Sequence, residues 1–429
     1  MSNQIRRSIV AASSGRFFYG WVIVAVCCLG IFASGAGQSH TFSVFLDPIG
    51  QDLGISSSEL ALAYTLATLV AAFVLPQIGR LVDRVGPRKA LIFIIIALGV
   101  ACMLFGAAAN LLWLTLGFGL LRLLGQGSLM LGCANMVSQW FSRNRGFAVS
   151  LMVLGFGASM AVHPPLSQYL VQEIGWRQTW VVIGIATWVL MLPPLVLLAI
   201  DKPEDVNLKP DGEQPADTDA QQNTAPDISG LSLSEALRTS TFYILALCWL
   251  AVSMLVTTLH FYQVKILTGR GLSEESAAIL FTISAVSMVG MMPLVGRMFD
   301  RMRTRYVISL ALTITAVNLV GVTLVTSFAV GVIYAALFGL NNALSMTIAG
   351  YVWPRYFGRK HLGSIQGAGQ MVGIVGASLG PLPVGFAFDM FGDPTLTLQL
   401  LAIYPATAAV IVLFFLRAPA ALTENTHLE

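Results

Sequence analysis

One arginine and three histidines sit well inside long apolar runs of this sequence: Arg122, His40, His163 and His260. Each needs a reason, because an ionised group at bilayer depth costs about 2.5–3.5 kcal/mol on insertion scales. Arg122 lies about eleven residues into its run, roughly 16 Å at about 1.5 Å per residue, and is followed by Gly125-Gln126-Gly127. A guanidinium there binds an anion or serves proton coupling, or it caps a backbone carbonyl. In both cases it faces protein or a water-filled cavity. Histidine changes charge near neutral pH, and His40 and His260 hold matching outer-half positions in the first and seventh apolar runs, so these two are expected to touch a solute or its proton. His163 either shares that task or serves the backbone at its neighbour Pro164. For any one buried histidine, a completed hydrogen bond is the plainer reading.

Uncharged polar groups extend the set. Gln38, Tyr64, Asn341, Asn342, Gln366 and Gln370 are expected to line a solute site, with Asn135, Tyr262 and Ser345 beside them. Amides suit hydrogen bonding to carboxylate or hydroxyl oxygens without a fixed charge. The competing reading is an interhelical hydrogen bond worth about 0.6 kcal/mol. It weighs least against Asn341-Asn342 and the pair Gln366 and Gln370, which are one helical turn apart.

Catalytic patterns are missing. The sequence holds no Ser/His/Asp arrangement, phosphate loop, HExxH or paired carboxylate, and Asp47, Asp52 and Asp389 fall at loop ends. Cys27, Cys28, Cys102, Cys133 and Cys248 all lie in apolar runs, without disulfide or metal-ligand spacing. No enzyme, cofactor or metal is expected.

The elements that position these residues follow from composition. The chain of 429 residues is 56% hydrophobic and 10% charged, which describes a protein facing lipid. A helix needs about 20 apolar residues to cross the hydrocarbon. Such runs predict spans at 18–47, 57–81, 88–109, 111–139, 146–171 and 177–199. A second set is predicted at 241–266, 273–298, 305–326, 329–353, 362–390 and 394–416. The first run is too long for a signal segment and reads as a retained span. With the N-terminus cytoplasmic, all 24 Lys and Arg except Arg122, Arg177, Lys265 and Arg270 fall on the cytoplasmic side, as the positive-inside rule asks. That bias also accounts for the Arg clusters without nucleic acid. Between the sets, Asp201–Ser240 carries four prolines and few large apolar residues, and reads as a flexible tether. Its end, Leu231–Arg238, reads as a short surface helix. The domains expected are 1–200, 201–240 and 241–429.

The halves repeat each other. Gly79-Arg-Leu-Val-Asp83-Arg84 returns as Gly296-Arg297-Met-Phe-Asp300-Arg301, each between two apolar runs. Trp140-Phe-Ser-Arg143-Asn-Arg145-Gly146 is echoed by Arg355-Tyr-Phe-Gly-Arg359-Lys360. Each of these leads into a Gly-rich run whose small-xxx-small spacings predict close helix packing. Prolines 164, 165, 381 and 383 late in those runs are expected to loosen or kink them. Repetition of this kind predicts an all-α membrane protein of twelve transmembrane helices in two six-helix bundles related by pseudo-twofold symmetry.

Twelve spans, a long central loop and Gly79-x-x-x-Asp83-Arg84-x-Gly86-x-Arg88-Lys89 between spans 2 and 3 resemble the major facilitator superfamily. Within it, Tyr19-Gly20-Trp21, Val44-Phe45-Leu46 and Trp140-Phe141-Ser-Arg143-Asn-Arg145-Gly146 resemble the monocarboxylate transporter group and its bacterial relatives. The resemblance implies solute transport by alternating access, with gate contacts at Asp83, Arg84, Arg88, Asp300, Arg301 and Arg143. In that group span 8 carries an aspartate and an arginine one turn apart; here Met288 and Met292 stand in their places, and His40 stands where several members carry a lysine. The expectation is a monomeric carrier in the inner or plasma membrane, both termini cytoplasmic, moving a small organic acid with a proton. Its partners would be that anionic solute and the lipid bilayer. The alternatives are an exporter of a larger, mainly apolar compound and a receptor that binds a solute without moving it.

Overall fold

The structure, a computed structural model, describes residues 17–141, 144–206, 208–212, 230–358 and 362–417. Among them eleven helical segments are long and apolar enough to cross a membrane. One, α8 (Arg145–Leu197), has 53 residues, roughly 80 Å at about 1.5 Å per residue and over twice the hydrocarbon thickness of about 30 Å. Its backbone leaves the helix at Gly175, φ 79° and ψ 162°. The helix continues through Pro164 and Pro165, and Gly175, with its positive φ, is the residue that interrupts it. Phe73, Val70, Leu112, Met390 and Phe414 are among the exposed large apolar side chains, as hydrocarbon contact requires.

Two compact units result: Met1–Leu53 with Leu66–Ala220, and Gly54–Thr65 with Gln221–Glu429. In the first, the opening span is not one helix over 18–47. It comprises α1 (Gly20–Ala33), a 3-10 turn (Ser34–Gly37), extended Gln38, α2 (Ser39–Phe42) and α3 (Leu46–Leu53). The long α4 (Ser57–Val85) leads through Gly86 to α5 (Pro87–Gly106). Next come α6 (Leu111–Leu121), a π-helical segment (Arg122–Leu129), α7 (Met130–Trp140) and α8.

Helix ends leave carbonyls and amides without intrahelical partners, and beside lipid these need protein donors and acceptors. Past the end of α8, Tyr19 Oη donates to Leu198 O (2.9 Å) and Trp140 Nε1 to Ile200 O (3.0 Å), while Arg88 Nη2 donates to Val196 O (3.1 Å). Asp201 caps α5, accepting from Arg88 N at 2.7 Å. It approaches because Gly86 has φ 87° and no Cβ; a methyl there would stand 3.0 Å from Asp201 Oδ1. At the opposite end Arg177 joins Asp52 (2.8 Å) and Ala108 O (2.6 Å). The predicted close packing is present: a Cβ at Gly155 would overlap the carbonyl of Cys28.

The second unit holds α9 (Leu233–Ala236), α10 (Ser240–Gly269), α11 (Glu274–Arg301), α12 (Thr304–Thr323) and α13 (Phe328–Phe357). After them come α14 (Leu362–Leu379), α15 (Pro381–Phe391) and α16 (Thr395–Phe415). The run 362–390 is thus divided at Gly380, whose Cβ would overlap Met254 O on α10. The short helix expected near the tether's end is α9, with a capping box of Ser232 and Glu235; Leu231 N donates to Phe357 O at 2.9 Å. Residues 213–229 of the expected tether lie outside the described residues. The first turn of α4 belongs to this unit: Asp389 accepts from Ser57 N (3.0 Å) and Ser58 N (2.7 Å), and Lys265 Nζ donates to Ser57 Oγ (2.8 Å).

Candidate functional site

Four of the expected site residues converge in the first unit on the break between α1 and α2. Side chains bond the carbonyls around this break. Ser34 Oγ donates to Ile31 O and Thr41 Oγ1 to Gly35 O, each at 2.6 Å, and Arg122 Nη1 donates to Gly37 O at 3.3 Å. Gln38 Nε2 reaches Ser34 Oγ at 3.3 Å. Arg122, only 5% exposed, thus caps a backbone carbonyl with one of the five donors a guanidinium has. Segments Gly20–Phe42, Pro87–Gly106 and Leu111–Trp140 contain no Asp or Glu.

Two irregular segments face each other here. A Cβ at Gly37 would overlap Leu121 O and stand 3.1 Å from Gln126 N, and one at Gly125 would stand 3.0 Å from Gly37 Cα. Backbone meets backbone with no side chain between, so the π-helical turn of Arg122–Leu129 and the 3-10 turn of Ser34–Gly37 fit as a pair. Single π turns inside α-helices are frequent at functional sites. Gln126 Oε1 is buried in this turn without a protein hydrogen bond.

His40 and His163 meet on the other side of the break. His40 Nε2 is 3.1 Å from Ser159 Oγ, which is 3.3 Å from His163 Nδ1. Phe156 stands edge-on to His40 at 5.5 Å, and Phe32 packs on His163 at 4.9 Å. Ser159, fully buried, is a bridging residue the sequence reading did not single out. A serine in an apolar run is ordinary, since its hydroxyl can bond its own helix.

In the second unit the candidates are spread. His260 lies among Phe281 (6.2 Å, stacked) and Phe338 (4.8 Å). Tyr64 packs on Phe261 at 4.6 Å. Asn341 Oδ1 accepts from Thr315 Oγ1 at 3.0 Å, and Asn342 Nδ2 donates to Phe338 O at 2.8 Å. Asn341 Nδ2 and Asn342 Oδ1 are buried without protein partners. Gln366 is half-buried and Gln370 exposed on α14. Met288 is fully buried on α11.

Of the expected gate residues, Arg88 bonds within the first unit to Val196 O. Arg84 and Arg301 are exposed at the ends of α4 and α11. Asp83 and Asp300 occupy the last turns of the same helices, and Arg143 lies outside the described residues. Among those residues no group of three or more His, Cys, Asp or Glu is placed to hold a metal.

The model of the Major Facilitator Superfamily matches residues 27–305 and 265–428. The chain belongs to that superfamily. Among curated relatives, an uncharacterized 38 kDa protein in the 23S RNA operon of Thermoproteus tenax is 27% identical over 82% of this chain and 85% of its own length. Monocarboxylate transporter 12 of Rattus norvegicus is 25% identical over 88% and 81%. The oxalate:formate antiporter of Oxalobacter formigenes is 25% identical over 56% and 52%. A bacterial homolog of the human lysosomal transporter Spinster, solved inward-facing and unoccupied, superimposes with TM-score 0.64 at 17% identity, over 93% of this chain and 95% of that one. That likeness speaks for the fold. The protein is therefore a multi-pass, all-α membrane protein of the superfamily's fold and a secondary transporter of a solute. Members of the superfamily are not enzymes.

Proposed function

We propose that this protein carries a small organic acid across the inner or plasma membrane by alternating access, taking a proton with it. The observation that carries this reading is Arg122, a buried guanidinium on a π-helical turn against the break in the first span. Breaks in membrane helices are where transporters build sites for charged solutes, and here a guanidinium that donates to Gly37 O stands at such a break. Gln38, His40 and Gln126 stand around the same break. The monocarboxylate transporter and oxalate:formate antiporter among the relatives are named for carboxylates, which agrees with a cation as the recognising group. Tyr64, His260, Asn341, Asn342, Gln366 and Gln370 are the second unit's own candidates for solute contact. Asp83, Arg84, Asp300, Arg301 and Arg143 would form state-dependent gate contacts.

We read α8 as two spans meeting at Gly175, which makes twelve in two six-helix bundles, joined by the segment after Asp201. Both termini are then cytoplasmic, and the protein works as a monomer.

A second reading, export of a larger and mainly apolar compound, is favoured by α11. That helix carries no Lys or Arg before Arg297 and places buried Met288 in its body.

Uptake of labelled L-lactate, formate and oxalate into proteoliposomes, scanned from pH 5.5 to 7.5, separates the readings. The organic-acid reading expects saturable uptake of at least one acid, steeply dependent on pH across that window. Uptake of none, with outward pumping of an apolar dye, sinks it in favour of the exporter; dye binding without movement would mark a receptor.

A further inference from the structure

The sequence treats His40 and His163 as separate residues, 123 positions apart; the structure joins them through one hydroxyl. Ser159 Oγ is 3.1 Å from His40 Nε2 and 3.3 Å from His163 Nδ1, and His163 Nδ1 is also 3.2 Å from Ser159 O. A carbonyl oxygen only accepts, so His163 Nδ1 must carry a hydrogen and donate. Ser159 Oγ shares that donation as an acceptor, which leaves its own proton directed at His40 Nε2. His40 is then the tautomer with its hydrogen on Nδ1. This assignment of the hydrogens gives the chain a direction, from His163 through Ser159 to His40.

We propose that Ser159 is the middle member of a proton relay that loads His40, resting on the proton-coupled reading above. A proton arriving at His163 Nε2 makes that ring an imidazolium. The Ser159 O–H bond then breaks toward His40 Nε2 as Ser159 Oγ takes the hydrogen from His163 Nδ1. His163 is left neutral with its hydrogen on Nε2, the hydroxyl is restored, and His40 holds the positive charge. Nothing is oxidised or reduced, and one proton has moved across three side chains.

The surroundings suit this task. A Cβ at Gly35 would overlap both Ser159 Oγ and the His163 ring, so the glycine lets the relay lie against the break itself. Phe156 and Phe32 hold the two rings at either end. The elements packed on the break bring few other titratable groups. Arg122 comes from the π-helical turn, and Cys27 and Cys28 from α1. On α8, Tyr169 and Glu173 stand about two and three turns beyond His163. Arg122 donates to Gly37 O, three residues before His40. Two positive charges around one break repel, and an anion at Arg122 relieves that repulsion. Proton and organic anion would therefore favour each other's binding, which is what coupling requires.

The relay is tested on full-length protein in lipid nanodiscs with ring-15N-labelled histidine, followed by NMR from pH 5 to 8. The proposal expects neutral His40 to be the Nδ1–H tautomer, and His163→Gln to move the His40 midpoint by about 0.4–1 pH unit, the size of one hydrogen bond. Ser159→Ala should abolish that sensitivity and the tautomer preference, and Ser159→Thr should keep both. An unchanged His40 midpoint in His163→Gln, with Ser159 present, overturns the relay. In proteoliposomes with L-lactate and oxalate as probes, Ser159→Ala should lower proton-driven uptake at least tenfold and flatten its pH profile, with Ser159→Thr restoring both. A coupled NMR titration with pH-independent wild-type uptake would instead remove the proton-coupled reading, and the relay's role with it. Should the wild type take up neither acid, the NMR result alone decides.

Discussion

Around His40 the backbone leaves the α-helix between Ser34 and Gln38, whereas α10 runs through His260 without interruption for 30 residues. The sequence repeat pairs these two spans, yet their surroundings diverge. In the first unit the carbonyls around the break accept from the side chains of Ser34, Thr41 and Arg122. In the second the carbonyls are satisfied within the helix, and His260 settles among phenylalanines. Backbone irregularity thus gathers polar side chains in an apolar medium, because each backbone polar group needs a partner there. The first unit holds the cation and the linked histidines; the second offers mainly amides and aromatic walls.

The largest effect should come from closing the break. Gly37→Ala drives a methyl into Leu121 O and is expected to destabilise the protein by about 1–3 kcal/mol, read as a lowered Tm in detergent, with uptake lost. A wild-type Tm would mean that the two irregular segments do not depend on each other. Next in size, His40→Gln should flatten the pH 5.5–7.5 uptake profile while His260→Gln leaves its steepness. The opposite result would move the proton to the second unit.

Much of this contrast was legible in residue types. Arg122, His40, His163 and Gln38 stood out because ionisable and amide groups are rare in apolar runs. Their convergence did not, since Ser34-Gly-Ala-Gly37 leaves hydropathy unbroken. Two helix-interior glycines cost only about 1 kcal/mol each against alanine, so contact with Gly125, far along the chain, decides the conformation. Tyr19 and Trp140 were visible as part of a family resemblance, but their reason, the carbonyls of Leu198 and Ile200, is tertiary. Asp389 reads from sequence as a loop-end acid and Asp201 as the start of the tether. Each caps a helix remote in sequence, which periodicity does not reveal.

Those caps supply smaller tests. Asp389→Ala removes both acceptors from the start of α4 and should cost about 1 kcal/mol, seen as a Tm loss that Asp389→Asn partly recovers; no loss would discount the cap. Smallest is Asp393, in the loop before α16. The Thr395 hydroxyl and amide, with Arg270 nearby, hold its carboxyl below the usual range. A depressed carboxylate stabilises the fold above its unfolded pKa of about 3.9, and that contribution fades as pH falls through the folded value. Because Asp393 is exposed, Asp393→Asn should cost about 0.2–1 kcal/mol at pH 7 and nothing in strong acid. Equal losses at both pH values would contradict the assignment.

The account stands most directly on Arg122, and equilibrium binding of labelled oxalate and L-lactate to purified protein tests it. Arg122→Gln is predicted to weaken binding of the preferred acid at least tenfold, with Arg122→Lys intermediate because an ammonium keeps the charge and loses the fork, and with Arg270→Gln close to wild type. Wild-type affinity in Arg122→Gln would contradict the claim that the break in the first span is where the solute is held.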